Sequence, residues 1–403
     1  MTIGCAVLMM TSALGVGPAQ AASSGSGLTT KTYTNGAGSL NYELYVPAGY
    51  TPGTAVPLVV ALHGCTQNAD KFRIQTGFDK LADQKNFIVA FPEQPSSNQY
   101  MNCWNWFNDA TITRDAAEPS LIAGITAEVQ KNYTVDSKRT YVTGLSAGGA
   151  MANVMAATYP DVYAAAGSGS GCEYSAGAAC AGYQSADPAT AGKKAYTAMG
   201  SRARVVPWLV FQGDKDTTVP PINADQLVQA NQTMNDWADE GAQNGSVPKT
   251  PYKSTNGRSA GGLSYTIKYY SDGHGNELGQ YWTIAGMGHA WSGGDASQQY
   301  SEPKGPDESA AMYDFFMAHP MGGAASGPGT TNPGATNPGS TSPGTNPGAT
   351  GPGATNPGAT NPGTTNPGTG TSSLPAGWPS WASKLPGVGK LPIAVSGSGP
   401  ALR

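Results

Sequence analysis

Between Leu40 and Pro320, short apolar runs alternate with segments whose apolar side chains recur near every 3.6 residues. Leu40–Val46 alternates apolar and polar positions as a half-buried strand does. Leu58–Leu62 is a continuous apolar run of the kind that fills a parallel sheet. Lys71–Gln84 carries Phe72, Ile74, Phe78 and Leu81 at helical spacing and predicts one helix. Phe87–Phe91, Arg139–Thr143, Val162–Ala166, Val206–Phe211, Tyr265–Tyr270 and Gln280–Ile284 read as further strands. Helices are expected over Ser120–Lys131, Ala147–Thr158 (rich in Ala and Met, stopped by Pro160), Ile222–Trp237 and Asp307–Ala318. This alternation predicts one α/β domain over residues 28–320, a doubly wound and mostly parallel sheet. Cys172–Arg204 has little periodicity and is expected to be a lid or substrate-contact insertion.

Past Pro320 the pattern stops. Pro-Gly recurs nine times from Pro328 to Pro367, every five residues with one slip to four, and alanines are the only apolar side chains there. Such a segment cannot bury enough surface to offset the entropy of folding, so residues 321–373 are expected to be a disordered linker. Residues 374–403 hold Trp378 and Trp381 but are too few for an ordinary domain. They are expected to be disordered, with a surface-adhering remnant of a polymer-binding region as the alternative. At the other end, residues 1–21 combine an apolar run with Ala19-Gln20-Ala21, the look of a secretory leader and its cleavage site. No Lys or Arg precedes that run, which departs from the usual leader; an upstream start or a buried N-terminal segment would also account for it.

Composition narrows the function. A net charge of −4 leaves no basic field for phosphates, so nucleic acid is not an expected partner. No stretch of 18 apolar residues is present, so no membrane-spanning helix is expected. Four histidines, none in an HExxH spacing, argue against a metal site, and no cofactor or obligatory protein partner is implied. With Cys5 lost in the leader, Cys65, Cys103, Cys172 and Cys180 remain. An even number in an exported chain favours disulfides over free thiols. Cys172 and Cys180 are near enough to close a local loop, which leaves Cys65 with Cys103.

The strongest chemical signal is Gly144-Leu-Ser-Ala-Gly148, placed between a predicted strand and a predicted helix. A turn that tight requires glycines beside the serine and lifts its oxygen above the sheet, which makes Ser146 the candidate nucleophile. A serine hydroxyl needs a base, and the topology predicts an acid and then a histidine downstream. His319 reads as a surface helix cap and His274 as part of a turn. His289, in the glycine-flanked Gly286-Met-Gly-His-Ala-Trp291 just after a strand, is the candidate base. Val206–Phe211 runs into Gly213-Asp-Lys-Asp216. Asp214 is placed to shape the turn, and Asp216 is the candidate acid. Backbone N–H groups of Ala147 and of Cys65, in His63-Gly-Cys-Thr-Gln67, are the candidate oxyanion donors, with His63 anchoring the loop.

Together Leu62-His-Gly-Cys-Thr-Gln67, Asn102-Cys-Trp-Asn-Trp106, Gly144-Leu-Ser-Ala-Gly-Gly149, Gly213-x-x-Asp216 and Gly286-Met-Gly-His-Ala-Trp-Ser-Gly-Gly294 resemble the poly(3-hydroxybutyrate) depolymerase family of esterases, which includes feruloyl and acetylxylan esterases. The resemblance runs from about Leu40 to Pro320. It implies an α/β-hydrolase fold, Ser146, Asp216 and His289 as the triad, and secretion. Members of this kind typically join a linker to a polymer-binding domain; here only 30 residues follow the linker, which departs from that plan.

Aromatic residues crowd Tyr100 to Phe107, and Trp291 follows the candidate histidine. Trp104, Trp106 and Trp291 are candidate substrate contacts, with core packing as the plainer reading for Trp104 and Trp106. Three functions remain open. They are a secreted serine esterase acting on poly(3-hydroxybutyrate) or a related polymeric ester, a carbohydrate esterase removing feruloyl or acetyl groups, and a non-catalytic surface-binding protein on the same fold.

Overall fold

A computed structural model describes residues 26–99, 101–181 and 187–322. The leader, Tyr100, the repeat from residue 323 and the tail lie outside the described residues. The elements run β1 (Gly27–Asn35), β2 (Gly38–Val46), β3 (Val56–Leu62), α1 (Ala69–Thr76), α2 (Phe78–Lys85), β4 (Ile88–Glu93), α3 (Ala117–Asn132), β5 (Val135–Gly144) and α4 (Ala147–Thr158). Then come β6 (Ala166–Gly169), α5 (Pro188–Met199), β7 (Trp208–Gly213), α6 (Pro221–Glu240), β8 (Lys253–Arg258), β9 (Ser264–Ser271), β10 (Glu277–Ile284), β11 (Trp291–Ser292), β12 (Ser301–Glu302) and α7 (Glu308–Ala318).

Ten strands form one sheet in the order β1-β2-β4-β3-β5-β6-β7-β10-β9-β8. The six from β4 to β10 are parallel, and antiparallel hairpins extend both edges. The physical reason lies in the side chains. β3 and β7 are buried at every position and read as unbroken apolar runs, as strands covered on both faces must. β1 and β8 are polar edge strands with most positions exposed or half-exposed. All twelve residues of α4 are buried, which explains a helix built from Ala, Met and Gly.

Several boundaries differ from the sequence pattern. The helix expected over Lys71–Gln84 is two, because Gly77 adopts φ 61° and ψ 21°, caps α1 through its N–H to the Arg73 carbonyl and begins α2. The strand expected over Val162–Ala166 begins only at Ala166. The carbonyls of Pro160, Tyr163 and Ala164 are instead taken by the Arg204 guanidinium. The strand itself is Ala-Gly-Ser-Gly, small because a Cβ on Gly167 would stand 2.2 Å from the Met312 sulfur of α7. Within the expected lid, Pro188–Met199 is α5, a packed helix rather than an insertion: a Cβ on Gly192 would lie 2.5 Å from the Ala230 carbonyl of α6. Disulfides Cys65–Cys103 and Cys172–Cys180 staple two loops that leave the sheet.

Glu173, just past Cys172, is 2% exposed, and among the described residues neither of its carboxyl oxygens has a hydrogen-bond partner beyond its own backbone N–H. Burial pushes this carboxyl up from 4.5 to about 7. The folded chain therefore keeps a proton that the unfolded chain releases, and stability falls as pH rises from 4.5 through about 7. Glu173→Gln removes this dependence. Relative to wild type, its unfolding free energy gains up to about 3 kcal/mol between roughly pH 4 and pH 8, read from urea unfolding. A difference that does not change with pH would mean that this carboxyl titrates normally in the fold.

Candidate active site

Ser146 sits between β5 and α4 with φ 59° and ψ −121°, a conformation that costs a non-glycine residue about 1–3 kcal/mol. Its N–H donates to the Gly169 carbonyl at 2.8 Å, and its own carbonyl accepts from Ala150 at 2.9 Å. The neighbours must be small. A Cβ on Gly148 would stand 2.0 Å from the Leu62 carbonyl oxygen and 2.6 Å from that of His63. The turn is thus pressed against the end of β3.

The His63–Gln67 loop lies directly against this turn. The position a Cβ would take on Gly64 is 3.4 Å from the Ser146 Cβ. Three contacts hold the loop: the Cys65–Cys103 disulfide, Thr66 N–H to the Met101 carbonyl at 2.6 Å, and Gly64 N–H to Gln67 Oε1 at 2.9 Å. Among the described residues, neither the Cys65 nor the Ala147 N–H has an acceptor. His63 is fully buried; its Nδ1 bonds the Gly64 carbonyl at 2.8 Å and its Nε2 accepts from Gln94 N–H at 3.0 Å. Burial pushes it down to about 4, so it is a neutral anchor.

At the end of β7 the two aspartates separate. Asp214 Oδ1 accepts the Gly286 N–H at 2.7 Å and ties the β7 turn to the loop after β10. Gly213 permits this, because a Cβ there would stand 2.2 Å from the Met287 carbonyl oxygen. Asp216 Oδ2 is 2.8 Å from His289 Nδ1 and also accepts from Gln212 Nε2 at 3.2 Å, while Oδ1 accepts the N–H groups of Thr218 and Val219, both at 2.9 Å. Burial alone would raise the Asp216 carboxyl; His289 and these two N–H groups outweigh it and hold it below the ordinary carboxylate range. The edge of the Tyr300 ring faces His289, centroids 5.9 Å apart.

Asp216 and His289 therefore meet directly, while Ser146 lies on the same rim, at the C-terminal end of β5 two strands from β7. β6 connects them: Gly169 accepts from Ser146, and Ser170 N–H donates to the Phe211 carbonyl of β7. The tryptophans do not form a substrate wall. Trp104 and Trp291 are fully buried, and their indole N–H groups are bound to the His63 carbonyl and to Ser309 Oγ; Trp106 is buried as well. These are core side chains. His274 is an exposed turn residue 3.4 Å from Asp239, and His319 caps α7 but is buried rather than on the surface. Gln212, which steadies Asp216, escaped the sequence reading because a strand-end glutamine carries no motif. Among the described residues no group of three or more His, Cys, Asp or Glu side chains could hold a metal ion, and no helix is long and apolar enough to cross a membrane.

A parallel sheet with a strained serine turn at its rim defines an α/β-hydrolase. The same fold is seen in the acetyl xylan esterase from Aspergillus awamori, with a TM-score of 0.56 at 23% identity over 72% of this chain and 99% of that one. The family model for esterase PHB depolymerase matches residues 40–247, and the chain belongs to that family. It is 34% identical over 265 residues to poly(3-hydroxyalkanoate) depolymerase C of Paucimonas lemoignei, covering 62% of this chain and 58% of that protein. It is also 34% identical over 206 residues to acetylxylan esterase A of Talaromyces purpureogenus, covering 47% and 52%. The chain thus spans little more than half the length of these two relatives.

The Asp216–His289 bond has a direct signature. Proton NMR of the wild type is expected to show a downfield His289 Nδ1–H resonance that Asp216→Asn removes and Asp214→Asn leaves in place. Because the Asp216 carboxyl is depressed, its ionised form persists as pH falls through the ordinary carboxylate range near 3.8, and the resonance persists with it. Loss of the resonance well above that range would contradict the depressed carboxyl.

Proposed function

We propose that this chain is a secreted serine esterase that cleaves ester bonds of poly(3-hydroxybutyrate) or a related polyester. One observation carries the reading: a buried carboxylate holds an imidazole at 2.8 Å on the same sheet rim as a backbone-strained serine. In the proposed sequence Ser146 Oγ attacks the ester carbonyl carbon while His289 Nε2 takes its proton. Asp216 keeps the Nδ1–H oriented and stabilises the imidazolium without being protonated. The carbonyl oxygen, now negative, accepts from the Cys65 and Ala147 N–H groups. Collapse breaks the ester C–O bond, His289 protonates the departing alkoxide, and the acyl group stays on Ser146. Water then repeats the proton path and releases the acid.

The non-catalytic reading is weaker, because a strained Ser146 contributes nothing to folding that would repay its backbone cost. Likeness to a polyhydroxyalkanoate depolymerase supports the polyester substrate. Likeness to acetylxylan esterase A supports the acetyl half of the second reading, a carbohydrate esterase removing feruloyl or acetyl groups from plant polysaccharide. Two disulfides fit an oxidising compartment, and with them secretion, a leader over residues 1–21 and a linker over 321–373.

Ser146→Ala is expected to lower p-nitrophenyl butyrate hydrolysis at least about a thousandfold with the fold retained. Asp216→Asn costs about 10⁴-fold and Asp214→Asn less than about tenfold, and the reverse ranking would move the acid role to Asp214. Parallel assays on polyhydroxybutyrate film and on acetylated and feruloylated xylan separate the two substrates. Release of soluble hydroxyacid from film supports the first; turnover confined to xylan transfers the assignment to the second.

A further inference from the structure

Two buried glutamines are left over by this reading, and they join its two halves. Gln67 closes the His63–Gln67 loop just before α1 and is 5% exposed; Gln75 lies in the last turn of α1 and is 1% exposed. Gln67 Nε2 donates to Gln75 Oε1 at 2.6 Å. At one end Gln67 Oε1 accepts the Gly64 N–H, next to Cys65, at 2.9 Å. At the other end Gln75 Nε2 donates to the carbonyls of Tyr300 at 2.5 Å and Gln299 at 3.2 Å. The Tyr300 carbonyl also accepts the Trp291 N–H at 2.7 Å, two residues past His289, and the Tyr300 ring abuts the imidazole. In addition, Asp295 N–H donates to the Gln75 backbone carbonyl at 3.0 Å.

Both ends of this chain impose a direction. The Gly64 N–H can only donate, so it requires the amide oxygen of Gln67; the Tyr300 carbonyl can only accept, so it requires the amide nitrogen of Gln75. Neither amide can be turned over without setting donor against donor or acceptor against acceptor. A carboxylate or an aliphatic side chain at either position breaks the sequence of bonds.

We infer that Gln67 and Gln75 form a positioning relay that sets the Cys65 oxyanion donor against the His289 loop. The inference rests on the esterase reading above. Neither residue touches the reacting atoms; both act through the two loops they join. Misplacing a catalytic group by about an ångström costs on the order of a hundredfold in rate even when the change lies away from the chemistry. Substrate binding does not depend on that alignment to the same degree, so the loss should fall on kcat.

The test uses the full chain with Gln67→Met, Gln75→Met and the double variant, assayed on p-nitrophenyl butyrate below their thermal midpoints. Affinity for an alkyl trifluoromethyl ketone is measured alongside, since its serine adduct places an oxyanion in the hole. Expected are kcat falls of about ten- to a hundredfold with KM within about threefold, and a parallel loss of ketone affinity. The double variant should cost no more than the worse single one, as members of one unit do. Unchanged kcat in the folded variants, whatever their thermal midpoints, or fully multiplicative losses, would overturn the relay. If the methionine variants do not fold, Gln67→Glu is judged by the same criteria. It keeps the acceptor for Gly64 but turns an oxygen on Gln75 Oε1. A wild type with no esterase activity sinks the enzymatic reading itself, and relay variants as active as an active wild type sink only the relay.

Discussion

The backbone of Ser146 is the constraint around which the rest is arranged. At φ 59° and ψ −121° it turns β5 into α4 within one residue, and no side chain can stand in the way. Gly148 must meet the end of β3 without a Cβ, and Gly64 must let the next loop lie against the serine. Such strain persists only where the surroundings over-determine it. Here the fully buried α4, the bond from Ser146 N–H to Gly169 and the stapled His63–Gln67 loop do so. Among the described residues the same close packing leaves the Cys65 and Ala147 N–H groups without acceptors, so one local geometry accounts for both the proposed nucleophile and its proposed oxyanion donors.

Around that turn the supporting polar groups are mostly uncharged. Gln67 and Gln75 span the loops, Gln94 N–H holds His63, and Gln212 steadies Asp216. Burial raises the carboxyls close by instead. Glu118, bound to Asn105 and Gln94, is pushed up to about 7 by burial, and Glu308, which accepts the Ser292 N–H, is raised well above the ordinary range for the same reason. Asp216 goes the other way and keeps its charge. A buried site built like this leaves Asp216 as the ionised carboxylate that faces the imidazole.

How far the sequence disclosed this depends on whether a feature has a local cause. The parallel strands were legible because burial on both faces demands unbroken apolar runs, and the serine turn because Gly144 and Gly148 flank the serine closely enough to read as one motif, although the carbonyl that crowds both glycines is that of Leu62 in β3. β6 was misplaced because its Gly167 is dictated by α7, more than 140 positions away, through Met312. β1 and β8 were invisible because polar edge strands carry no apolar alternation. α5 had a readable start, Asp187 before Pro188, that the weak apolar periodicity beside it obscured. The two aspartates differ in place, Asp214 accepting the Gly286 N–H at the turn and Asp216, past it, facing His289. The burial of Trp104 and Trp291 was not legible, because they satisfy their indoles internally through partners 41 and 18 residues away.

The rim and the surface are held by different kinds of contact. Everything proposed for bond cleavage sits on strand ends and is braced from beneath by buried side chains. The surface features are different in kind. Asp109 accepts from Ser175 Oγ at 2.7 Å and from Lys194 at 3.1 Å, joining the loop after Cys103, the loop stapled by Cys172–Cys180, and α5. These contacts are exposed and charged, so each is worth little and can be exchanged without disturbing the rim below. The rim is different: a Cβ on Gly148 or Gly213 would collide with backbone, so that layer does not admit exchange.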